Sequence, residues 1–292
     1  MFPGFQEQRI ATPEGEIFAR IGGSGPPLLL LHGYPQTSAM WHLVAPDLAR
    51  DYTVVAADLR GYGRSFVPAA QDDHAQMSKR AMAADMAAAM AALGHDRFRM
   101  VAHDRGGRVA HRLAADHPDR VQSLTVLDIA PTREMYRDGG FAFAQTYWHW
   151  YWLTQPAPMP EHLIGADPAW YWKMKCKALG ASIFAPEAEA EYLAAWTPEV
   201  IGASCEDYRA AATIDLTHDD ADVAAGRRLA MPVQALWGLR GAIERHFDCL
   251  ALWRERADDV QGQALPGGHY LAEEHPEDLL AALRPFLAAA PA

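Results

Sequence analysis

Cysteine is scarce in this 292-residue chain: Cys176, Cys205 and Cys249 are odd in number and widely spaced. They form no CxxC pair, which argues against a disulfide framework and against a thiolate zinc site. Basic charge is also short, with Lys+Arg 26 against Asp+Glu 37 and a formal net charge of −11. A surface that tracks nucleic-acid phosphates would carry the opposite balance. The same field repels small anions, so an anionic ligand requires a local positive clamp. No apolar run approaches the roughly 20 residues that cross a bilayer. The longest candidates are 26–31 and 81–93, and Asp85 interrupts the second. The N-terminus carries Glu7 and no basic-then-apolar order, so no secretory leader is expected and the chain reads as cytoplasmic. Thirteen histidines include no HExxH, and Asp219-Asp220-Ala221-Asp222 lacks EF-hand spacing. No metal is expected, and neither nucleic acid nor membrane as a partner.

What is present is apolar. Half the residues are hydrophobic and 22% are charged, enough to bury a large core. Continuous apolar runs at 27–31, 52–57, 97–102 and 121–127 read as strands buried on both faces. Helical spacing at 40–50, 78–93 and 107–117 separates them, the pattern of a parallel sheet flanked by helices. Gly22-Gly23-Ser24-Gly25 precedes a strand and is expected to be a hairpin turn rather than a phosphate loop. From about 131 to 222 no core strand is expected, only aromatic-rich helical stretches. Strands resume at 233–237 and 262–265, and an amphipathic helix covers 276–287. The expected organisation is an α/β core formed by 1–131 and 223–292, with a helical cap at 132–222 inserted over the strand ends. Open parallel sheets bind ligands there.

Ala102-His103-Asp104-Arg105-Gly106 has the small-x-nucleophile-x-small form of a strand-to-helix elbow, with Asp where Ser is more familiar. Asp128 ends the fourth strand and His269 follows Pro266-Gly267-Gly268, so nucleophile, acid and histidine come in the order this arrangement requires. A carboxylate nucleophile displaces a leaving group from carbon and becomes an ester. Water activated by a histidine then restores it. Asp104 is the candidate nucleophile, His269 the general base and Asp128 the group that orients it. Backbone N–H groups of Tyr34 and Arg105 are the candidate oxyanion donors. Arg105 and Arg108 share the first turn after Asp104, where two guanidiniums can grip a carboxylate. The run Tyr147-Trp148-His149-Trp150-Tyr151-Trp152 offers polar-tipped aromatics suited to a departing halide.

These stretches resemble the haloacetate (fluoroacetate) dehalogenases of the α/β-hydrolase fold. The resemblance is carried by His32-Gly33-Tyr34-Pro35-Gln36, Ala57-Asp58-Leu59-Arg60-Gly61-Tyr62-Gly63 and His103-Asp104-Arg105-Gly106-Gly107-Arg108. It continues through Leu127-Asp128-Ile129, Tyr147-Trp148-His149-Trp150-Tyr151, the segment from Asp207-Tyr208-Arg209 to Asp215-Leu216, and Leu265-Pro266-Gly267-Gly268-His269. It implies that Arg105 and Arg108 bind the substrate carboxylate, and that His149, Trp150 and Tyr208 donate to the halide. It also implies a small-molecule haloacid substrate, chemistry without cofactor, and a homodimer by family precedent. The chain departs from the family with Tyr34 where Phe is usual, with Arg64, and with no Trp around Cys176-Lys177-Ala178-Leu179-Gly180. An epoxide hydrolase using Asp104 and His269 with two tyrosines from Tyr147, Tyr151 and Tyr208 is the rival enzyme. A non-catalytic binding module of the same fold is the rival outside catalysis.

Overall fold

The computed structural model describes residues 1–290. Eight strands form one sheet: β1 (Gln6–Ala11), β2 (Glu16–Gly22), β3 (Pro27–Leu31), β4 (Thr53–Ala57), β5 (Phe98–His103), β6 (Val121–Leu127), β7 (Val233–Gly238) and β8 (Val260–Leu265). Their order is β1-β2-β4-β3-β5-β6-β7-β8. From β4 to β8 every pairing is parallel, whereas β2 runs antiparallel to both β1 and β4. All residues of β5 and β6 are buried, which is why their sequence is continuously apolar rather than alternating.

The α/β-hydrolase architecture read from the sequence is therefore present, with two differences at the N-terminal edge. Strands β1 and β2 are additional to those expected: in β1, Gln6-Glu7-Gln8-Arg9 shows no apolar run because four of its first five residues are exposed at the sheet edge. The expected hairpin turn at Gly22–Gly25 is corrected. The hairpin instead joins β1 to β2 around Thr12 and Gly15, whose backbone groups bond to one another at 2.9 Å. The glycine run carries the chain from β2 past β4 into β3. Gly23 sits at φ 80°, and a Cβ on it would stand 2.3 Å from the carbonyl oxygens of Ala49 and Tyr52, so a left-handed backbone and close backbone passage together require glycine there.

The expected helix at 40–50 breaks into a 3₁₀ turn (Ser38–Trp41) and a short helix (Ala45–Leu48). Lys79–Ala92 is helical as expected and is capped by the Ser78 hydroxyl, which accepts from Ala81 N–H. Pro276–Ala289 buries Leu279, Leu283, Phe286 and Leu287, the stripe its periodicity announced. Between β6 and β7 the named elements are all helices, from Thr132–Asp138 to Ile214–Ala224. This segment meets the sheet where Tyr208 packs edge-on to Tyr34, with ring centres 5.2 Å apart. No helix among the described residues is long and apolar enough to cross a membrane.

Candidate active site

Strand β5 ends at His103, and the helix Asp104–Asp116 begins at once. Asp104 sits at φ 45°, a left-handed conformation that costs a non-glycine residue energy and persists only where its surroundings impose it. The surroundings are tight. A Cβ on Gly33 would lie 2.5 Å from the Asp104 Cβ, and one on Gly106 would lie 2.3 Å from the His32 carbonyl oxygen. The small residues of the motif are therefore a steric condition of the elbow.

Asp104 is 3% exposed, and its Oδ1 accepts a 3.0 Å hydrogen bond from the backbone N–H of Tyr34. Burial works to raise its carboxyl pKa. The electrostatic pull of the flanking histidines and of Arg108 and Arg105 outweighs burial and brings it down to about 2. The carboxylate is thus ionised and available at neutral pH. Arg105 is the second residue of the helix, a position whose backbone N–H the helix ladder does not use.

Asp128 follows β6, also left-handed at φ 51°. Its Oδ2 lies 2.6 Å from His269 Nδ1, and its Oδ1 accepts from Gly238 N–H at 3.0 Å. Glu274 accepts from the backbone N–H groups of Gly268 and Tyr270 at 2.8 and 2.9 Å, holding the loop on both sides of His269. The His269 carbonyl takes a 2.8 Å bond from His103 Nε2, so that nitrogen carries the proton. Burial and the neighbouring His269 push His103 down to about 3, which keeps it a neutral brace. His269 Nε2 faces Asp104 Oδ2 at 3.9 Å, longer than a direct hydrogen bond. The acid–histidine–carboxylate line is thus assembled from the ends of β5, β6 and β8.

The arginine pair is buried as well. Arg105 donates from Nε to Asp207 Oδ2 at 2.9 Å and from Nη2 to Asp207 Oδ1 at 2.5 Å. Asp207 also accepts from Tyr62 at 2.6 Å and from the Lys79 ammonium. Arg108 donates from Nη1 to the Ala130 carbonyl and to Thr132 Oγ1, and its guanidinium lies 4.5 Å from the Trp150 ring centre. Neither guanidinium is exhausted. Arg105 Nη1 and Arg108 Nε are buried with no hydrogen-bond partner among the described residues.

The same holds for His149 Nδ1, Trp150 Nε1 and the Tyr208 hydroxyl. Tyr208 packs against His149 and lies under the Arg105 guanidinium, 4.2 Å from its ring centre. Burial drives His149 well below the ordinary histidine range, with Lys175 adding to the effect, so its imidazole is neutral. Unpartnered buried polar atoms are uncommon and call for an explanation. Five of them here belong to residues named from the sequence.

A cavity of about 510 Å³ opens onto Asp104, Tyr34, His149 and His269. Arg105, Arg108, Trp150 and Tyr208 do not line it and are buried. Within the aromatic run, Tyr147, His149 and Trp150 turn inward, while Trp148 and Tyr151 are each 37% exposed. The exposure of Tyr151 removes it from the tyrosines considered for an epoxide.

Sequence reasoning assigned no role to Asp207 or Lys175, and gave Tyr147 one only in the rival epoxide reading. Asp207 stands beside Tyr208 in a recognisable motif, but its partner Lys79 is 128 residues away and nothing local announces the pair. Tyr147 stands edge-on to His269 at 6.3 Å, and Lys175 lines the cavity. No group of three or more His, Cys, Asp or Glu among the described residues is placed to hold a metal.

The chain is similar to several known proteins. A family model described as α/β hydrolase fold matches residues 26–152. The fluoroacetate dehalogenase of Burkholderia sp is 46% identical over 98% of this chain and 95% of its own length. The soluble epoxide hydrolase of Corynebacterium sp. (strain C12) is 33% identical over 91% of each chain. The crystal structure of ALR0039 from Nostoc sp PCC 7120 superposes with a TM-score of 0.96 at 52% identity, covering 99% of this chain and all of that one.

Proposed function

The chain belongs to the haloacetate (fluoroacetate) dehalogenase family of the α/β-hydrolase fold, and from that premise we propose a hydrolase of carbon–halide bonds that acts on short 2-haloacids. Haloacetate and water give glycolate, halide and a proton. An Asp104 oxygen attacks the carbon bearing the halogen, the carbon–halogen bond breaks, and an aspartyl ester forms. His269 then takes a proton from water. The resulting hydroxide adds to the ester carbonyl, glycolate departs and the Asp104 carboxylate returns. Asp128 holds the imidazole in orientation and balances the imidazolium. The Tyr34 N–H, already on Asp104 Oδ1, is aimed where negative charge gathers in the second step, and the Arg105 N–H is its proposed companion.

The observation that carries this reading is the set of buried, unpartnered donors. Arg105 Nη1 and Arg108 Nε suit a carboxylate, while Trp150 Nε1, Tyr208 Oη and His149 suit a halide. A hydrogen bond to a charged group contributes about 1.5–3 kcal/mol, so three donors at the leaving halide lower its barrier substantially. A neutral epoxide would leave Arg105 Nη1 and Arg108 Nε without an acceptor of matching charge, which disfavours that reading despite the Corynebacterium relative. In the proposed arrangement residues 132–222 form a cap that brings His149, Trp150 and Tyr208 over the nucleophile, and no metal or organic cofactor enters the chemistry.

The test is halide release from fluoroacetate and chloroacetate, side by side at neutral pH, with His269→Asn analysed by intact mass. Release from both acids, and a His269→Asn protein heavier by one carboxymethyl group after exposure to substrate, is the expected outcome. Normal turnover by His269→Asn would remove its role as base. No halide from either acid would withdraw the substrate assignment.

A further inference from the structure

The arginines of the proposed carboxylate clamp do not reach the cavity, so an anion entering it meets other groups first. Those groups are cationic. Lys175, Lys177, Arg240 and Arg245 all line the cavity, against the carboxylates Asp104 and Glu274. Arg240 is paired with Glu274 at 3.4 Å, and Arg245 is occupied by the Gly241 and Arg240 carbonyl oxygens. Lys175 has no carboxylate, carbonyl or hydroxyl partner among the described residues; its ammonium stands 5.6 Å from the Tyr34 ring centre. In a chain of net charge −11, an unpaired ammonium facing a cavity beside the nucleophile is against the overall balance.

We infer that Lys175, with Lys177 at its flank, forms an outer anion subsite that receives the haloacid carboxylate before Arg105 and Arg108 take it. This inference rests on the haloacid reading and adds a second binding station to it. The placement has a physical logic. Lys175 is the last residue of the helix Pro168–Lys175, where carbonyl ends favour a cation and help hold it in the absence of an acid. Burial lowers its pKa, and the negative charge of Asp104 is among the influences working the other way. A bound anion would act in the same sense as Asp104. An outer cation also opposes the repulsion that the whole chain exerts on any approaching carboxylate, an effect that acts on capture rather than on the chemical step. The nucleophile is itself an anion at the cavity wall, so a nearby cation is needed for a second anion to approach it at all.

Two measurements test the subsite, one with turnover and one without. For chloroacetate, kcat/KM of the wild-type protein is expected to fall as ionic strength rises. Lys175→Gln is expected to lose about tenfold in kcat/KM at low salt, with kcat much less affected and the salt dependence flattened. Lys175→Arg should recover most of the loss. Equal kcat/KM and equal salt dependence in wild type and Lys175→Gln would overturn the inference. So would an Arg variant as impaired as the Gln variant, since packing rather than charge would then be at stake. The second measurement is quenching of tryptophan fluorescence by iodide against neutral acrylamide in a Trp170→Phe background, where Trp148 at the cavity is the most exposed indole left. Lys175→Gln should reduce iodide quenching and leave acrylamide quenching unchanged; equal iodide quenching overturns the subsite. Because this readout needs no turnover, a protein that released no halide would sink the haloacid reading while the anion subsite stood or fell by itself.

Discussion

The strand ends and the helical segment treat their polar groups in opposite ways. At the strand ends Asp104 accepts from Tyr34 N–H, and Asp128 is shared between Gly238 N–H and His269. Glu274 in turn ties down the backbone on both sides of the histidine. In the helical segment His149 Nδ1, Trp150 Nε1 and Tyr208 Oη are buried without a partner. Apart from His103 Nδ1, the first region is wired to itself, which would keep the proposed reacting line in register. The second region holds its donors in reserve for something that is not protein. Asp207 is the exception that joins the two: it belongs to the helical segment yet is saturated by Arg105, Tyr62 and Lys79 from the core.

The largest expected effect breaks the wired side. Asp104→Asn should lower halide release by on the order of 10⁴-fold or more, as removal of a nucleophile does, in a steady-state halide assay.

Next comes the joint between the regions. Asp207→Ala leaves Arg105 and Lys79 charged and buried, a change that costs about 3–5 kcal/mol. Denaturant unfolding would read this as a lower midpoint, and kcat/KM for haloacids should fall with it because Arg105 loses its anchor. An unchanged midpoint would show that the pair does not brace the two regions.

Glu273 lies on the same seam, where Gln36 of the core and Tyr192 of the helical segment both donate to it. Burial raises its pKa to about 8. A carboxyl raised in the folded state contributes stability that is full below its unfolded value near 4.5 and is lost as pH rises through 8. Unfolding free energy is therefore expected to decline by several kcal/mol across that window from this group. Glu273→Gln should flatten the decline, as pH-dependent melts would show.

The smallest effect addresses the reserve donors. Trp150→Phe removes one N–H and should lower kcat for fluoroacetate by about 10²-fold. The loss should be smaller for bromoacetate, whose leaving group needs less assistance. Equal losses for the two acids would mean that the indole packs but does not donate to the halide.

Much of this molecule was legible before its structure. Strands β3 to β7 announced themselves because burial on both faces demands unbroken apolar runs, whereas β8, at the far edge with Gln261 and Gln263 exposed, was legible only over 262–265. The proposed catalytic line was legible because each of its members follows the end of a strand. Strand β1 was hidden because an exposed edge permits Gln, Glu and Arg, which is also how an edge avoids pairing with other chains. The glycines at 22–25 were misread because sequence shows that glycine is required, and not whether a turn or a passing carbonyl requires it. Tyr151 and Trp148 could not be separated from Trp150 in an all-aromatic run, since helix direction at that point depends on what the helix packs against.

By itself the sequence determined the alternation of strands and helices from β3 onward, the elbow at Asp104, and the acid and histidine that follow it. All of these depend on short-range spacing and on the chemistry of single side chains. Only the tertiary structure decided that Arg105 is spent on Asp207 except at one nitrogen, that three aromatic donors are left unpaired, and that Lys175 rather than the arginine pair faces the cavity. Those facts are matters of which groups find partners. A partner 128 residues away leaves no mark on local sequence, because burial and hydrogen bonding are settled only when distant segments meet.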